Sequence, residues 1–85
     1  MNDFKLSEHA IKVIAERNID IEWVKLTINN PDLVEIDKKS INLEHRLKVI
    51  PDCNDRVLRI ICNVETEQII IVTSFIDRRM KGKLK

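Results

Sequence analysis

The feature that most constrains the fold is the stretch at residues 56–79, RVLRIICNVETEQIIIVTSFIDRR. Two runs rich in Ile, Val and Leu flank a short polar segment at residues 65–67, which predicts two strands folded back on each other. A domain of 85 residues buries only somewhat more than about 60% of its unfolded surface, so it can leave little apolar surface exposed. We therefore expect these two strands at the centre of a single core.

Two helices are predicted before the main strands. A short strand at residues 4–6 is followed by Ser7, whose hydroxyl is a typical N-cap, and the helix that it starts runs to Asn18 with one apolar face. Asp20 is predicted to cap a second helix that runs to Asn29 and ends before Pro31. Most of the surface of this second helix is apolar, so we expect it either to be buried on more than one side or to bind a partner.

Between the helices and the central strands, the hydrophobic period changes to two. This alternation predicts strands at residues 33–37 and 41–50 with a turn at residues 38–40. In the longer strand, His45 alternates with Arg46 and Lys48, so these two cations share the opposite face. We expect Arg46, Lys48 and Arg59 to lie together on the sheet face away from the helices.

These elements predict an α+β fold in which both helices pack on one face of a three- to five-stranded antiparallel meander sheet. Residues 1–80 are expected to form the single domain, and residues 81–85 a basic C-terminal tail.

Composition limits the possible classes of protein. Hydrophobic residues at 44% and charged residues at 34% favour a globular chain over a disordered one. A formal net charge of +1 argues neither for nor against a nucleic-acid partner. The sequence has no apolar run of about 20 residues and no signal-peptide pattern at its start, so we expect a cytoplasmic protein without a membrane partner.

The potential metal ligands do not form a metal-site pattern. His9, His45, Cys53 and Cys62 lack the short paired spacing that is typical of zinc sites, so we expect neither a metal nor another cofactor. Cys62 alternates with aliphatic residues and is predicted to lie in the core, whereas Cys53 is expected to be exposed in a turn. Both thiols are expected to be reduced.

The histidines and one arginine each allow two interpretations. His9 lies in the first turn of its helix, where the helix dipole disfavours a charged imidazole, so it is either a base or a surface residue. His45 is either a hydrogen-bonded core residue or a catalytic group. Arg17 lies in the apolar stripe of the first helix, so it either complements the end of that helix or binds a carboxylate such as Asp77.

The basic residues of the strands also have two interpretations. They are either a solvated charged surface that prevents edge aggregation or a site for phosphate groups. Arg59 favours the second interpretation, because it lies between Val57 and Ile61 in the middle of a central strand. The full set is Arg46, Lys48, Arg59, Arg78 and Arg79.

Several short motifs together resemble one known family. In chain order they are LSEHA (6–10), ERNI (16–19), WV (23–24), NPD (30–32), RVLRI (56–60) and TSFIDRR (73–79). The ordered set resembles the prokaryotic domain-of-unknown-function family numbered 4258. That family in turn is distantly similar to the RelE and BrnT toxins of toxin–antitoxin pairs, which are small α+β domains that cleave RNA without a metal.

The resemblance implies a function and a set of residues. The chain would be a toxin-like RNA-binding protein or a metal-independent endoribonuclease with an antitoxin partner. The catalytic residues implied are His9, His45, Arg59 and Arg78, and the phosphate-binding residues are Arg46, Lys48 and Arg79. The alternative is a module without catalytic activity that binds a partner protein or a second copy of itself through Trp23 on the second helix.

Overall fold

The computed structural model describes residues 4–84, and it contains two helices and one five-stranded mixed sheet. The predicted α+β class is confirmed. No helix among these residues is both long and apolar enough to span a membrane. Single-turn 3-10 helices follow β3 and β5, at Pro51–Cys53 and Arg78–Met80. The main elements are β1 (Phe4–Leu6), α1 (Glu8–Glu16), α2 (Ile21–Asn29), β2 (Leu33–Ile36), β3 (Leu43–Ile50), β4 (Arg56–Asn63) and β5 (Ile69–Ile76).

Both helices begin at the predicted caps. The Ser7 hydroxyl accepts a hydrogen bond from the Ala10 N–H at 3.0 Å, and the Asp20 carboxylate accepts one from the Glu22 N–H at 2.9 Å. These side chains satisfy N–H groups that have no partner within the helix. α1 ends at Glu16, two residues before the predicted end, and Asn18 adopts a left-handed conformation with φ 54° in the connection to α2.

The strand order is β1-β5-β4-β3-β2. β2 to β5 form the predicted antiparallel meander, but β1 pairs with β5 in parallel, so the prediction of a purely antiparallel sheet is wrong at this edge. A three-residue strand carries too little periodic signal to reveal its neighbour or its direction. The Ser7 N–H donates to the Ile71 carbonyl at 3.0 Å, which continues the parallel pairing up to the N-cap residue of α1.

One face of the sheet, which we call the helix face, packs beneath α1 and α2. From β4 this face presents Leu58, Ile60 and Cys62, all fully buried. The buried members of this core are Ala10, Ile19, Val24, Ile28, Ile50, Leu58, Ile60, Cys62 and Ile71. The predicted packing of both helices on a single sheet face is therefore correct.

The expected position of Arg46 and Lys48 is wrong. Arg46 pairs with Ile60 and Lys48 with Leu58, so both cations extend from the helix face. Their head groups reach the end of α2, where Arg46 donates to the Ile28 carbonyl at 2.7 Å and Lys48 to the Asn30 carbonyl at 2.9 Å. The last turn of α2 contains no basic residue. The unpaired carbonyl groups at the end of α2 are stabilised by cations, and β3 supplies them.

The other face of the sheet, which we call the distal face, carries His45 and Leu47 on β3 and Arg59 on β4. Alternation along β3 correctly separated His45 from Arg46, but it could not show which set would face the helices. Leu47 is fully buried even though it lies on the distal face. The distal face is therefore not fully open to solvent near His45 and Arg59.

The two cysteines are free thiols in different environments. Cys62 is fully buried, as predicted, and burial raises the pKa of its thiol to about 11. Cys53 is partly buried and packs against the helix-face core, so the prediction that it is exposed is wrong. The 3-10 helix at Pro51–Cys53 folds back against the sheet, a turn geometry that composition alone does not show.

Candidate functional site

The distal face is organised around Arg59, whose side chain is only 11% exposed. Its Nε donates a hydrogen bond to Asp77 at 2.8 Å, and its Nη1 donates to His45 Nδ1 at 2.7 Å. The same Nη1 lies 3.5 Å from a carboxylate oxygen of Glu35. Residues from three adjacent strands and from the end of β5 thus meet at one guanidinium group.

Asp77 is the buried counter-ion of this group. It follows β5 directly and is 3% exposed. Burial alone would raise the pKa of its carboxyl group, but hydrogen bonds from Arg59 and Arg79 outweigh that effect and hold the pKa below its ordinary value. The backbone N–H of Arg79 donates to the second carboxylate oxygen at 3.1 Å, so Asp77 also begins the short helix at Arg78–Met80.

Arg17 does not bind Asp77. Its Nη1 donates to the Ser74 carbonyl at 2.8 Å, so the side chain connects α1 to the backbone of β5. Of the two interpretations of Arg17, binding to a carboxylate such as Asp77 is therefore wrong. Asp77 instead receives its charged hydrogen bonds from Arg59 and Arg79.

The partners of His45 define its tautomer. An arginine can only donate, so Nδ1 of His45 accepts the hydrogen bond from Arg59 and carries no proton. The proton is then on Nε2, which donates to Asp37 at 2.6 Å. The imidazole is therefore neutral and is held at both nitrogens. A proton on Nδ1 would oppose an N–H of Arg59.

Asp37 fixes the other side of the imidazole. One of its oxygens accepts from His45, and the other accepts from the backbone N–H groups of Lys39 and Ser40 at 3.0 and 3.1 Å. The hydrogen bond from His45, followed by that from Lys39, lowers the pKa of the Asp37 carboxyl group. This carboxylate therefore folds the turn between β2 and β3 and orients His45 at the same time.

Asp37, His45 and Arg59 line a cavity of about 680 Å³ on the distal face, which we call the distal cavity. The volume lies within the usual range for small-molecule sites, about 300–1,000 Å³. Four cationic side chains and two carboxylates border it, and the Arg79 side chain is 85% exposed. The lining residues are Glu35, Ile36, Asp37, Lys38, Lys39, His45, Arg59, Phe75 and Arg79.

The structure brings together some of the candidate residues and separates others. His45, Arg59 and Arg79 line the distal cavity. Arg78 is exposed on the adjacent 3-10 helix. His9 is exposed on α1, and Arg46 and Lys48 lie on the helix face, so these three are separated from the cavity by the sheet. Trp23 is partly buried and packs against the helix-face core.

Sequence reasoning missed six residues of the cavity, namely Glu35, Ile36, Asp37, Lys38, Lys39 and Phe75. A signal for the two acids was present, because both lie on the same face of the alternating segment that precedes the turn. A hairpin across that turn pairs Glu35 with His45. Phe75 had no comparable signal, since an aromatic residue in an apolar strand is typical of a core.

Within residues 4–84, His, Cys, Asp and Glu side chains do not assemble in groups of three that could hold a metal ion. Each of the two carboxylates that line the cavity lies beside a hydrogen-bond donor of the protein. Asp37 accepts a hydrogen bond from His45, and Glu35 lies near Arg59. The arrangement suits an anionic ligand, since the cations at its border exceed the carboxylates.

Comparison with known proteins identifies the family. No curated protein and no solved structure matches the chain significantly. A family model described as Domain of unknown function (DUF4258) matches residues 6–76, which include Glu35, His45, Arg59 and Phe75 and end just before Asp77. The chain therefore belongs to the DUF4258 family.

Proposed function

We propose that this chain is a toxin-like RNA-binding protein that cleaves RNA without a metal, with the distal cavity as its active site. The proposal rests mainly on the position of Arg59. Its guanidinium group is nearly buried at the cavity and is held by hydrogen bonds to Asp77 and His45. The hydrogen bonds of Arg59 within residues 4–84 use Nε and Nη1, which leaves Nη2 to donate to a phosphate oxygen.

The rest of the cavity supplies groups that suit a phosphodiester. Arg79, Lys38 and Lys39 border it as cations that can hold neighbouring phosphates of an RNA strand. Glu35 is a half-exposed carboxylate near Arg59, with 49% of its side chain accessible. It can therefore reach a ligand, whereas both nitrogens of His45 are already hydrogen-bonded.

These groups allow a balanced cleavage step. Glu35 takes the proton of a ribose 2′-hydroxyl, and the 2′-oxygen then bonds to the adjacent phosphorus atom. The bond from phosphorus to the 5′-oxygen breaks, and an ammonium group of Lys38 or Lys39 gives that oxygen a proton. The products are a 2′,3′-cyclic phosphate and a 5′-hydroxyl. Arg59 and Arg79 stabilise the charge that accumulates on the phosphoryl oxygens.

The proposal changes the roles expected from the sequence. Arg59 and Arg79 contact the phosphate, and His45 acts as a positioning residue that holds Arg59. A RelE-like fold, a cytoplasmic location and an antitoxin partner belong to the same proposal. Two helices on one face of a largely antiparallel sheet support the likeness to the RelE and BrnT toxins at the level of architecture.

The test is cleavage of an end-labelled single-stranded RNA in the presence of EDTA. We expect products with a cyclic phosphate end, no cleavage of the same sequence as DNA, and loss of cleavage in Glu35→Gln. Arg79→Ala should weaken RNA binding several-fold, because it removes a phosphate contact. The matched control is Lys25→Ala, which removes an exposed cation from α2.

Three results would contradict the proposal. The first is that the folded wild-type protein leaves the RNA intact. The second is that it does not bind RNA in about 50 mM salt, where phosphate contacts are strong. The third is equal RNA affinity for Arg79→Ala and Lys25→Ala. Circular dichroism of each variant confirms that it is folded.

A second candidate function is supported by a different surface. β2 is an edge strand of the sheet, and three apolar side chains near it are exposed: Val34 at 47%, Ile36 at 68% and Ile41 at 85%. An exposed edge with apolar side chains is a typical site for pairing with another strand. This supports the alternative of a non-enzymatic interaction module or a homodimer.

The two functions can be separated by light scattering. The interaction module is favoured if the molar mass of the wild type rises with concentration while that of Ile36→Lys stays at the monomer value. A mass independent of concentration would oppose self-association. Since Ile36 also lines the cavity, Ile41→Lys serves as the matched variant outside it.

A further inference from the structure

We propose that Phe75 stacks on an unpaired nucleobase, so that the distal cavity takes single-stranded RNA rather than a duplex. This inference rests on the proposed RNA-binding function and adds the class of RNA to it. It starts from the position of Phe75, which is directly opposite Arg59 in the pairing of β4 with β5. Paired residues share a sheet face, so Phe75 lies on the distal face beside Arg59.

Phe75 is accessible at this position. It is partly exposed and lines the cavity. β1 pairs with β5 only from Ile69 to Ile71, so among the described residues no strand lies beside Phe75 on that side. A phenylalanine that served only to fill a core would be fully buried, whereas Phe75 keeps part of its surface accessible at the cavity.

The aromatic residues of the chain are divided between the two faces of the sheet. The chain has two phenylalanines, one tryptophan and no tyrosine. Phe4 and Trp23 pack against the helix-face core, and Phe75 is the aromatic residue of the distal cavity. The cavity therefore combines one aromatic ring with the cations Arg79, Lys38 and Lys39 at its border.

This combination is typical of single-strand binding. Every nucleobase has an aromatic face, so one ring can stack on any base while cations hold the backbone on either side. In an A-form duplex the bases stack on each other and cannot reach a ring inside a cavity. With a volume of about 680 Å³, the cavity has room for a base turned out of a flexible strand.

The test measures fluorescence anisotropy with three labelled probes of equal length, all with 2′-O-methyl riboses that cannot be cleaved: oligouridylate, a ribose-phosphate oligomer without bases, and an RNA duplex. The wild type should prefer oligouridylate to both other probes. Phe75→Leu keeps an apolar side chain but removes the ring, and it should weaken oligouridylate binding by about 5- to 150-fold, the effect of losing one stacked base. Its affinity for the baseless oligomer should stay at the wild-type level.

Two further variants make the result specific. Phe75→Trp should restore the affinity for oligouridylate, because a larger ring stacks at least as well. Phe4→Leu removes a phenyl ring from the helix-face core and is the matched control, so it should leave the preference among the three probes unchanged.

Each remaining outcome overturns the inference in a distinct way. If Phe75→Leu binds oligouridylate as the wild type does, or loses affinity for the baseless oligomer equally, stacking is wrong while RNA binding stands. If the wild type prefers the duplex, the assignment to single strands is wrong. If the folded wild type binds none of the three probes, the proposed function fails together with this inference.

Discussion

Two arginines on opposite faces of one sheet differ in what they bind. Arg46 and Arg59 lie on neighbouring central strands, and their side chains are similarly buried, 16% and 11% exposed. Arg46 bonds to the Ile28 carbonyl and to Glu44, so it completes the end of a helix. Arg59 bonds to Asp77 and His45 beside a cavity. Burial therefore does not distinguish the roles of these two arginines, whereas their hydrogen-bond partners do.

The difference also bears on stability. A buried ion pair is seldom the most stabilising choice at its position, because desolvation of the two charges offsets much of their attraction. Apolar residues in place of Arg59 and Asp77 would add to the buried apolar surface of the distal face, where Leu47 and Val57 are already fully buried. We infer that the pair is explained better by a ligand in the cavity than by stability.

The largest effect is expected from breaking the pair at Asp77. Asp77→Ala leaves Arg59 nearly buried without its carboxylate, which should lower the free energy of unfolding by about 3–5 kcal/mol. Urea denaturation measures this value. Asp52→Ala, which removes an exposed carboxylate near β4, is the control and should change the value little. If Asp77→Ala does not fold, Asp77→Asn keeps one acceptor and should lose less. A loss below about 1 kcal/mol would show that Arg59 does not need its counter-ion.

A smaller effect is expected on the helix face. Arg46→Met removes a charged hydrogen bond to the end of α2 and should cost about 1.5–3 kcal/mol of unfolding free energy, the value for hydrogen bonds with a charged partner. Its affinity for RNA should equal that of the wild type at any temperature where both are folded. A loss of RNA affinity as large as that of Arg79→Ala would contradict the separation of the two faces.

The smallest effect concerns the pH dependence of stability. The pKa values of Asp37 and Asp77 are lowered in the folded state from an ordinary value of 3.8. Their stabilisation is therefore complete above about pH 4 and is lost as the pH falls through the lowered values. Urea midpoints should fall as the pH drops below about 4, and less steeply in Asp77→Asn than in Asp52→Asn. Equal slopes in these two variants would contradict the assigned role of Asp77.

Much of the fold could be predicted because its signals are local. Ser7 and Asp20 cap the helices as their residue types indicate, and the alternation along β3 separated His45 from Arg46. The direction of β1 could not be predicted, because it depends on pairing with a strand more than 60 residues away in the sequence. The side of the sheet that the helices cover is likewise a tertiary property.

The candidate site could be predicted only in part. Arg59 stood out because a long cation in an apolar strand needs a partner, and the structure supplies Asp77. Glu35 and Asp37 depend on the register between β2 and β3, which the length of the turn sets. The neutral form of His45 depends on two hydrogen bonds from separate elements, so no local pattern could reveal it.

Nuclear magnetic resonance can show whether RNA binds at the distal cavity or on the helix face. An isotope-labelled sample is titrated with oligouridylate that carries 2′-O-methyl riboses and cannot be cleaved, while the backbone amide signals are followed. We predict shifts at residues 35–39, 45, 59, 75 and 79 that saturate together, with the amide signals of α1 and α2 unchanged. Shifts confined to α1 and α2, or none at saturating RNA, would contradict this prediction.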